Sequence, residues 1–96
     1  MTMDAITILR AHGQELKERF HVRKLGLFGS RATGTSREGS DVDVLVEFEA
    51  AHKSFDNYVG LKSSLEEVFG REVDLVMSEA VKPRLKERIL RETQYV

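Results

Sequence analysis

Apolar positions in this chain fall into short runs separated by amphipathic stretches, and each spacing predicts an element. Ile6, Leu9, Leu16 and Phe20 recur at steps of three, four and seven, which is one face of a helix opened by Asp4 and running to about Arg19. Gly13 interrupts that helix at a cost of about 1 kcal/mol relative to alanine. Val22 to Phe28 is an apolar run closed by glycine, a buried strand. Ser30 to Thr33 reads as a short helix or turn, and Thr35 to Ser40 (TSREGS) as an exposed loop. Asp41 to Phe48 is valine-rich and forms a second strand. Phe55 to Phe69 carries apolar residues at 55, 58, 59, 61, 65, 68 and 69, a helical pattern with Gly70 as its stop. Glu72 to Met77 is a third strand. The last region begins at Ser78 or Glu79, and Pro83 suits the first turn of a helix through about Glu92. That helix turns Leu85, Ile89 and Leu90 toward the sheet and leaves Arg84, Arg88 and Arg91 outside.

The resulting order is α-β-(short α)-β-α-β-α, an α/β (α+β) arrangement. It predicts a small mixed three-stranded sheet with helices packed mainly on one face. The first two strands are joined by too short a link for a crossover and are expected to pair antiparallel. A full helix separates the second from the third, which suits a parallel crossover. A chain of 96 residues supports one domain, residues 1–96, with one modest core.

Composition narrows the class. With 41% apolar and 32% charged residues, the chain belongs with soluble folded domains and not with disordered ones. A net charge of −1 gives no bulk electrostatic reason to expect a membrane or direct nucleic-acid partner. Cysteine is absent, which excludes disulfides, a thiolate nucleophile and Cys-ligated zinc. No apolar stretch is long enough to span a bilayer, and the opening MTMDAITILRAHGQELKERF lacks a signal-peptide core. A cytoplasmic location is expected. His12 and His21 are not spaced as a metal pair and read as surface residues.

The chemistry concentrates in Leu25 to Glu47, LGLFGSRATGTSREGSDVDVLVE. Asp41 and Asp43 stand at i and i+2. On a strand they share a face about 6.6 Å apart, and their repulsion is roughly 2.5 kcal/mol at an effective dielectric near 20. Aspartate is also a poor strand former. A Mg²⁺ ion reverses that penalty, because it takes carboxylate and phosphate oxygens. Asp74, flanked by Val73, Leu75 and Val76, is a candidate third carboxylate; singly, it also suits an edge strand facing water. Gly29 and Ser30 follow the first strand as a turn whose amides and hydroxyl can donate to terminal phosphates, and Arg31 can support the phosphate charge. The segment Gly29 to Ser36 (GSRATGTS) superficially matches a P-loop, but Thr35 holds the lysine position and Arg37-Glu38-Gly39 does not open a helix, so that reading is rejected.

The combination of Gly-Ser, ten residues, Asp-x-Asp and a later apolar-Asp-apolar strand resembles the minimal nucleotidyltransferase (MNT) family of the DNA polymerase β superfamily. The similarity extends to LFGSRATGTSREGSDVDVLVEF and REVDLVMSEAVKPRLKERILRETQYV, nearly the whole chain. It implies the nucleotidyltransferase fold and Mg²⁺-dependent transfer of AMP from ATP to a hydroxyl. Asp41, Asp43 and Asp74 would then be catalytic and would hold two Mg²⁺ ions, with Gly29, Ser30 and Arg31 on the nucleotide. Small members resemble antitoxins whose partner is a HEPN-domain ribonuclease toxin, neutralised by AMP on a tyrosine. The alternatives are an antitoxin that acts by binding alone, a transferase acting on a small molecule or nucleic acid, and an adaptor with solvated aspartates. The lack of an acceptor domain in so short a chain points to an acceptor from a partner or a second copy, in a hetero- or homo-oligomer. The outer side of the last helix and the segment Ala51 to Asp56 are the expected contact surfaces.

Overall fold

The computed structural model describes residues 4–29 and 42–96. Its helices are α1 (Ala5–Phe20), α2 (Phe55–Phe69) and α3 (Pro83–Glu92), and its strands β1 (Val22–Phe28), β2 (Val42–Phe48), β3 (Val73–Met77) and β4 (Gln94–Tyr95). The strands lie side by side in the order β3-β2-β1-β4. β1 and β2 are antiparallel, and β2 and β3 are parallel across the α2 crossover. Both pairings agree with the link lengths. The expected helix or turn at Ser30 to Thr33 and the loop at Thr35 to Ser40 lie outside the described residues.

The three-stranded expectation is corrected by β4, whose two residues pair with Gly26 and Leu27 of β1. A two-residue strand has no periodicity to reveal it. It is held by its surroundings instead: Val96 N–H donates to the Leu25 carbonyl at 2.9 Å, and the Lys17 ammonium donates to the Val96 carbonyl at 2.8 Å. Glycines make room for this segment. A methyl group at Gly26 would meet the Thr93 side chain at 2.5 Å and the Gln94 carbonyl oxygen at 3.1 Å, and one at Gly13 would meet the Val96 side chain at 2.8 Å. Gly13 therefore does not break α1; the helix continues through it and gains a close contact in return.

The helix ends follow local chemistry. Asp4 occupies the N-cap position of α1, but its side chain makes no cap hydrogen bond. α1 stops at His21, which adopts the left-handed conformation with φ 55°. The Ser54 side chain caps α2 by accepting from Asn57 N–H at 3.1 Å, and Gly70 ends it in the left-handed region.

Strand alternation gives the sheet two different faces. On one, Val22, Leu25, Leu27, Val42, Val44, Val46, Val73 and Leu75 pack against Leu9, Leu16 and Phe20 of α1 and Leu61 and Leu65 of α2. This is the core. On the other, Leu45 is 2% exposed and lines a cleft of about 220 Å³ with Lys24, Glu47, Lys86, Leu90 and Tyr95, so α3 lies on that side. Its attachment is loose: no residue of α3 is buried, and Leu85 and Leu90 each keep 40% exposure. Burial, and then the Glu47 carboxylate, push the Tyr95 phenol above its ordinary range. Among the described residues, no helix is long and apolar enough to cross a membrane.

Gly26→Ala is expected to destabilise the fold by about 1–3 kcal/mol, because the added carbon meets backbone that cannot swing aside. Gly13→Ala gains helix propensity of about 1 kcal/mol but presses on the Val96 side chain at its Cγ2 and Cβ, so the two effects should partly offset and its urea midpoint should fall less than that of Gly26→Ala. Paired urea titrations check both.

Candidate active site

The parallel ladder between β2 and β3 sets Asp43 directly beside Asp74. Two contacts fix the entry to this pairing. Val42 N–H donates to the Glu72 carbonyl at 3.2 Å, and Val73 N–H donates to the Glu66 carboxylate at 3.1 Å. Farther along, the Tyr58 hydroxyl donates to the Leu75 carbonyl at 2.5 Å, which ties the crossover helix to β3. Because Val42, Val44, Val73 and Leu75 face the core, alternation turns both aspartates to the opposite face. Asp43 is half-buried on the inner strand, and Asp74 is exposed on the edge strand.

Neighbouring strands are about 4.8 Å apart. At that spacing two carboxylates repel by about 1 kcal/mol in water and about 3.5 kcal/mol at an effective dielectric near 20. The strands beneath are committed to the apolar core and hold the two carboxylates at that spacing. The donor set is hard oxygen, which suits Mg²⁺ and not a softer metal.

Gly29 completes the described part of the site. It follows β1 with φ 75°, and a Cβ there would collide with the Asp43 carboxylate. Only glycine both adopts that backbone and lets the turn close down on the aspartate. The Gly29 backbone thus stands directly against a carboxylate oxygen. Ser30, Arg31 and Asp41 lie outside the described residues. The structure therefore brings together Gly29, Asp43 and Asp74 of the residues singled out in the sequence.

Lys62 was not singled out. With Glu66, Glu72, Val73 and Asp74 it lines a hollow of about 270 Å³ next to the aspartate. No local pattern in the sequence singles it out; the crossover that carries α2 past the start of β3 is what brings it to Asp74.

A mixed sheet with an aspartate on each of two parallel neighbours and a glycine turn closing on one of them is the framework of a nucleotidyltransferase. Residues 9–96 match the model of the nucleotidyltransferase domain family. The protein adenylyltransferase MntA of Thermococcus cleftensis is 44% identical over 97 residues, covering 100% of this chain and 97% of that one. A solved structure provisionally described as a minimal nucleotidyltransferase superposes with a TM-score of 0.79 at 38% identity, covering 96% of this chain and 95% of that one. A third neighbour is the MNT antitoxin structure from Shewanella oneidensis, solved with a tri-AMPylated HEPN toxin. It has a TM-score of 0.65 and 18% identity, covers 97% of this chain and 71% of that one, and supports the fold alone. The chain belongs to the nucleotidyltransferase domain family, in its minimal, MntA-like branch, and is a nucleotidyltransferase enzyme.

Charge repulsion gives this site a signature in stability. Asp74→Asn is expected to stabilise the chain in EDTA by up to about 1 kcal/mol, and the advantage should shrink or reverse when Mg²⁺ is added, because the cation stabilises only the intact pair. Thermal melts with and without Mg²⁺ check the sign. Gly29→Ala should cost about 1–2 kcal/mol of stability through its left-handed backbone, and about 10–100-fold in transferase activity through displacement of Asp43.

Proposed function

We propose that this chain is an antitoxin that transfers AMP from ATP to a tyrosine hydroxyl of a partner HEPN-domain toxin and thereby neutralises it. The observation that carries the reading is the line Gly29, Asp43, Asp74 across three adjacent strands, on a chain 44% identical over its whole length to a protein adenylyltransferase. The Shewanella neighbour's pairing with an AMPylated HEPN toxin is that protein's own. It is brought to this chain as the partner class, consistent with the family resemblance in its motifs.

In this reading each end of the line has a task. The Gly29 turn, with Ser30 and Arg31 following it, holds the β- and γ-phosphates. Asp41 and Asp43 would hold the two Mg²⁺ ions, and Asp74 would complete the set from β3. When bound, the ions neutralise charge on the phosphates and on the attacking and leaving oxygens. The acceptor oxygen forms a bond to the α-phosphorus of ATP, the bond from that phosphorus to the bridging oxygen breaks, and pyrophosphate leaves. Asp74, exposed on the edge strand, receives the hydroxyl proton. Holding donor and acceptor in line supplies about 7–11 kcal/mol of barrier lowering in favourable cases.

In this reading the acceptor enters beside Asp74. β3 is the sheet edge, and beside it Phe55, Tyr58, Leu75, Val76 and Met77 line a groove of about 560 Å³. Phe55 is 79% exposed at its rim, within the segment expected from the sequence to meet a partner. The groove lies toward the Met77 end of β3, so a toxin seated in it would have to extend along the edge strand to present its tyrosine to Asp74.

Incubation with α-labelled ATP, Mg²⁺ and the product of the neighbouring gene is expected to label that product. Asp43→Asn should reduce labelling by at least about 100-fold, and alanine at the acceptor tyrosine should abolish it. Neutralisation that survives Asp41→Ala with Asp43→Ala would instead establish an antitoxin that acts by binding. Transfer to a nucleic acid or aminoglycoside but not to the protein would move the substrate class.

A further inference from the structure

At the end of the sheet remote from the aspartates, three side chains from three different segments meet. His21 ends α1, Glu49 follows β2, and His52 closes the single helical turn Ala50–His52. Each offers a ligand atom, and these atoms all lie within 4.8 Å of one another. The His21 and His52 rings are stacked with centroids 3.7 Å apart at 11°, and the Glu49 carboxylate is 3.8 Å from His21 Nδ1. By the strand rise, Glu49 stands about 20 Å from Asp43 along the line of β2. We propose that His21, Glu49 and His52 form a binding site for one divalent transition-metal ion of the zinc class, separate from the Mg²⁺-type carboxylate site.

The backbone under the cluster is already fixed. Glu49 N–H donates to the His21 carbonyl at 2.9 Å, and His52 N–H donates to the Glu49 carbonyl at 2.8 Å. The Asn57 side-chain amide donates to the carbonyls of Phe20 at 2.6 Å and His52 at 3.1 Å. One amide from α2 thus pins both segments that carry the histidines. A site whose ligands sit on constrained backbone loses little entropy when it closes. The nearby cations are engaged elsewhere: Lys53 pairs with Glu79 at 3.2 Å and Arg23 with Glu47 at 3.6 Å. Glu49 is therefore available to the histidines.

Ligand chemistry selects the metal. Two imidazoles and one carboxylate suit Zn²⁺, Co²⁺ or Ni²⁺, whereas Mg²⁺ takes oxygen. Bonds of about 2.0–2.1 Å to a tetrahedral ion place donor atoms about 3.3 Å apart. Reaching that from the observed spread requires the stacked rings to rotate open on their side-chain torsions, with the backbone unmoved. Three protein ligands leave one position for water.

Titration of the full chain with Co²⁺, followed by visible absorption and calorimetry, tests the site. One equivalent is expected to bind with a tetrahedral absorption band, to be displaced by Zn²⁺, and to bind at least about 10-fold more weakly in His52→Ala and in His21→Asn. Asparagine tolerates the left-handed backbone at position 21, so that variant keeps the α1 stop; if it fails to fold, His52→Ala decides alone. Asp74→Asn should leave Co²⁺ binding unchanged. The proposal is overturned if no such band forms, if the histidine variants bind as the unmodified chain does, or if Asp74→Asn removes the binding.

Discussion

Asp43 lies beside Asp74 because β2 and β3 run parallel in one register, and most of the structure serves to hold that register. A parallel pair needs a crossover, and α2 supplies it by burying Leu61 and Leu65 against the sheet. The ladder is tied at its entry by the Glu72 carbonyl and the Glu66 carboxylate, and partway along β3 by the Tyr58 hydroxyl. A slip of one residue on either strand would flip every side chain. An aspartate would enter the core and a valine or leucine would leave it. The burial of Val42, Val44, Val73 and Leu75 therefore fixes where the two charges stand, and the core holds together two groups that repel one another.

The two faces of the sheet divide this labour. The face under α1 and α2 is closed and apolar, with Leu9, Leu25, Leu27, Leu61 and Leu65 fully buried. The opposite face carries the aspartates and is only partly covered by α3, whose leucines remain substantially exposed. A rigid apolar side beneath an open polar side is a reasonable division for phosphoryl chemistry, since positions are set by the first and access is granted by the second. Gly29 joins the two. It ends a core strand and, lacking a side chain, allows the turn to approach the Asp43 carboxylate.

The sequence was informative wherever a period or a punctuating residue existed. The three long strands, both main helices, the Gly70 stop and the pairing directions followed from spacing and link length. The pairing of Asp43 with Asp74 did not follow from spacing; the sequence placed each on a strand, and the parallel register of β2 and β3 sets them side by side. β4 was invisible because Gln94 and Tyr95 are too few to alternate, and it exists through contacts made by Gly26, Lys17 and Leu25, distant in sequence. The use of Gly13 was hidden for the same reason: its helix cost is local, while its close approach is to Val96. His21 read as an isolated surface histidine because its companions stand near position 50. The pairing of Val22 with Phe48 is what brings those residues to it. Lys62 reached Asp74 by the same kind of route, through a crossover that no local pattern describes.

Placement across the sheet also bears on why so small a framework suffices for a two-substrate reaction. Gly29 stands at the end of β1, Asp43 on the adjoining inner strand and Asp74 on the edge strand. In the proposed assignment, phosphate, metal and acceptor positions then follow one another from the middle of the sheet to its edge. The nucleotide side is backed by packed structure, and the acceptor side is open. An inner-strand acceptor position would require the chain to enclose the second substrate itself. At the edge, that enclosure can be supplied by whatever molecule carries the hydroxyl, and the groove beside Phe55 and Tyr58 gives such a molecule an apolar surface along the same edge strand, on its α2 side. The division between a fixed nucleotide side and an open acceptor side is thus a consequence of placing the third carboxylate on β3.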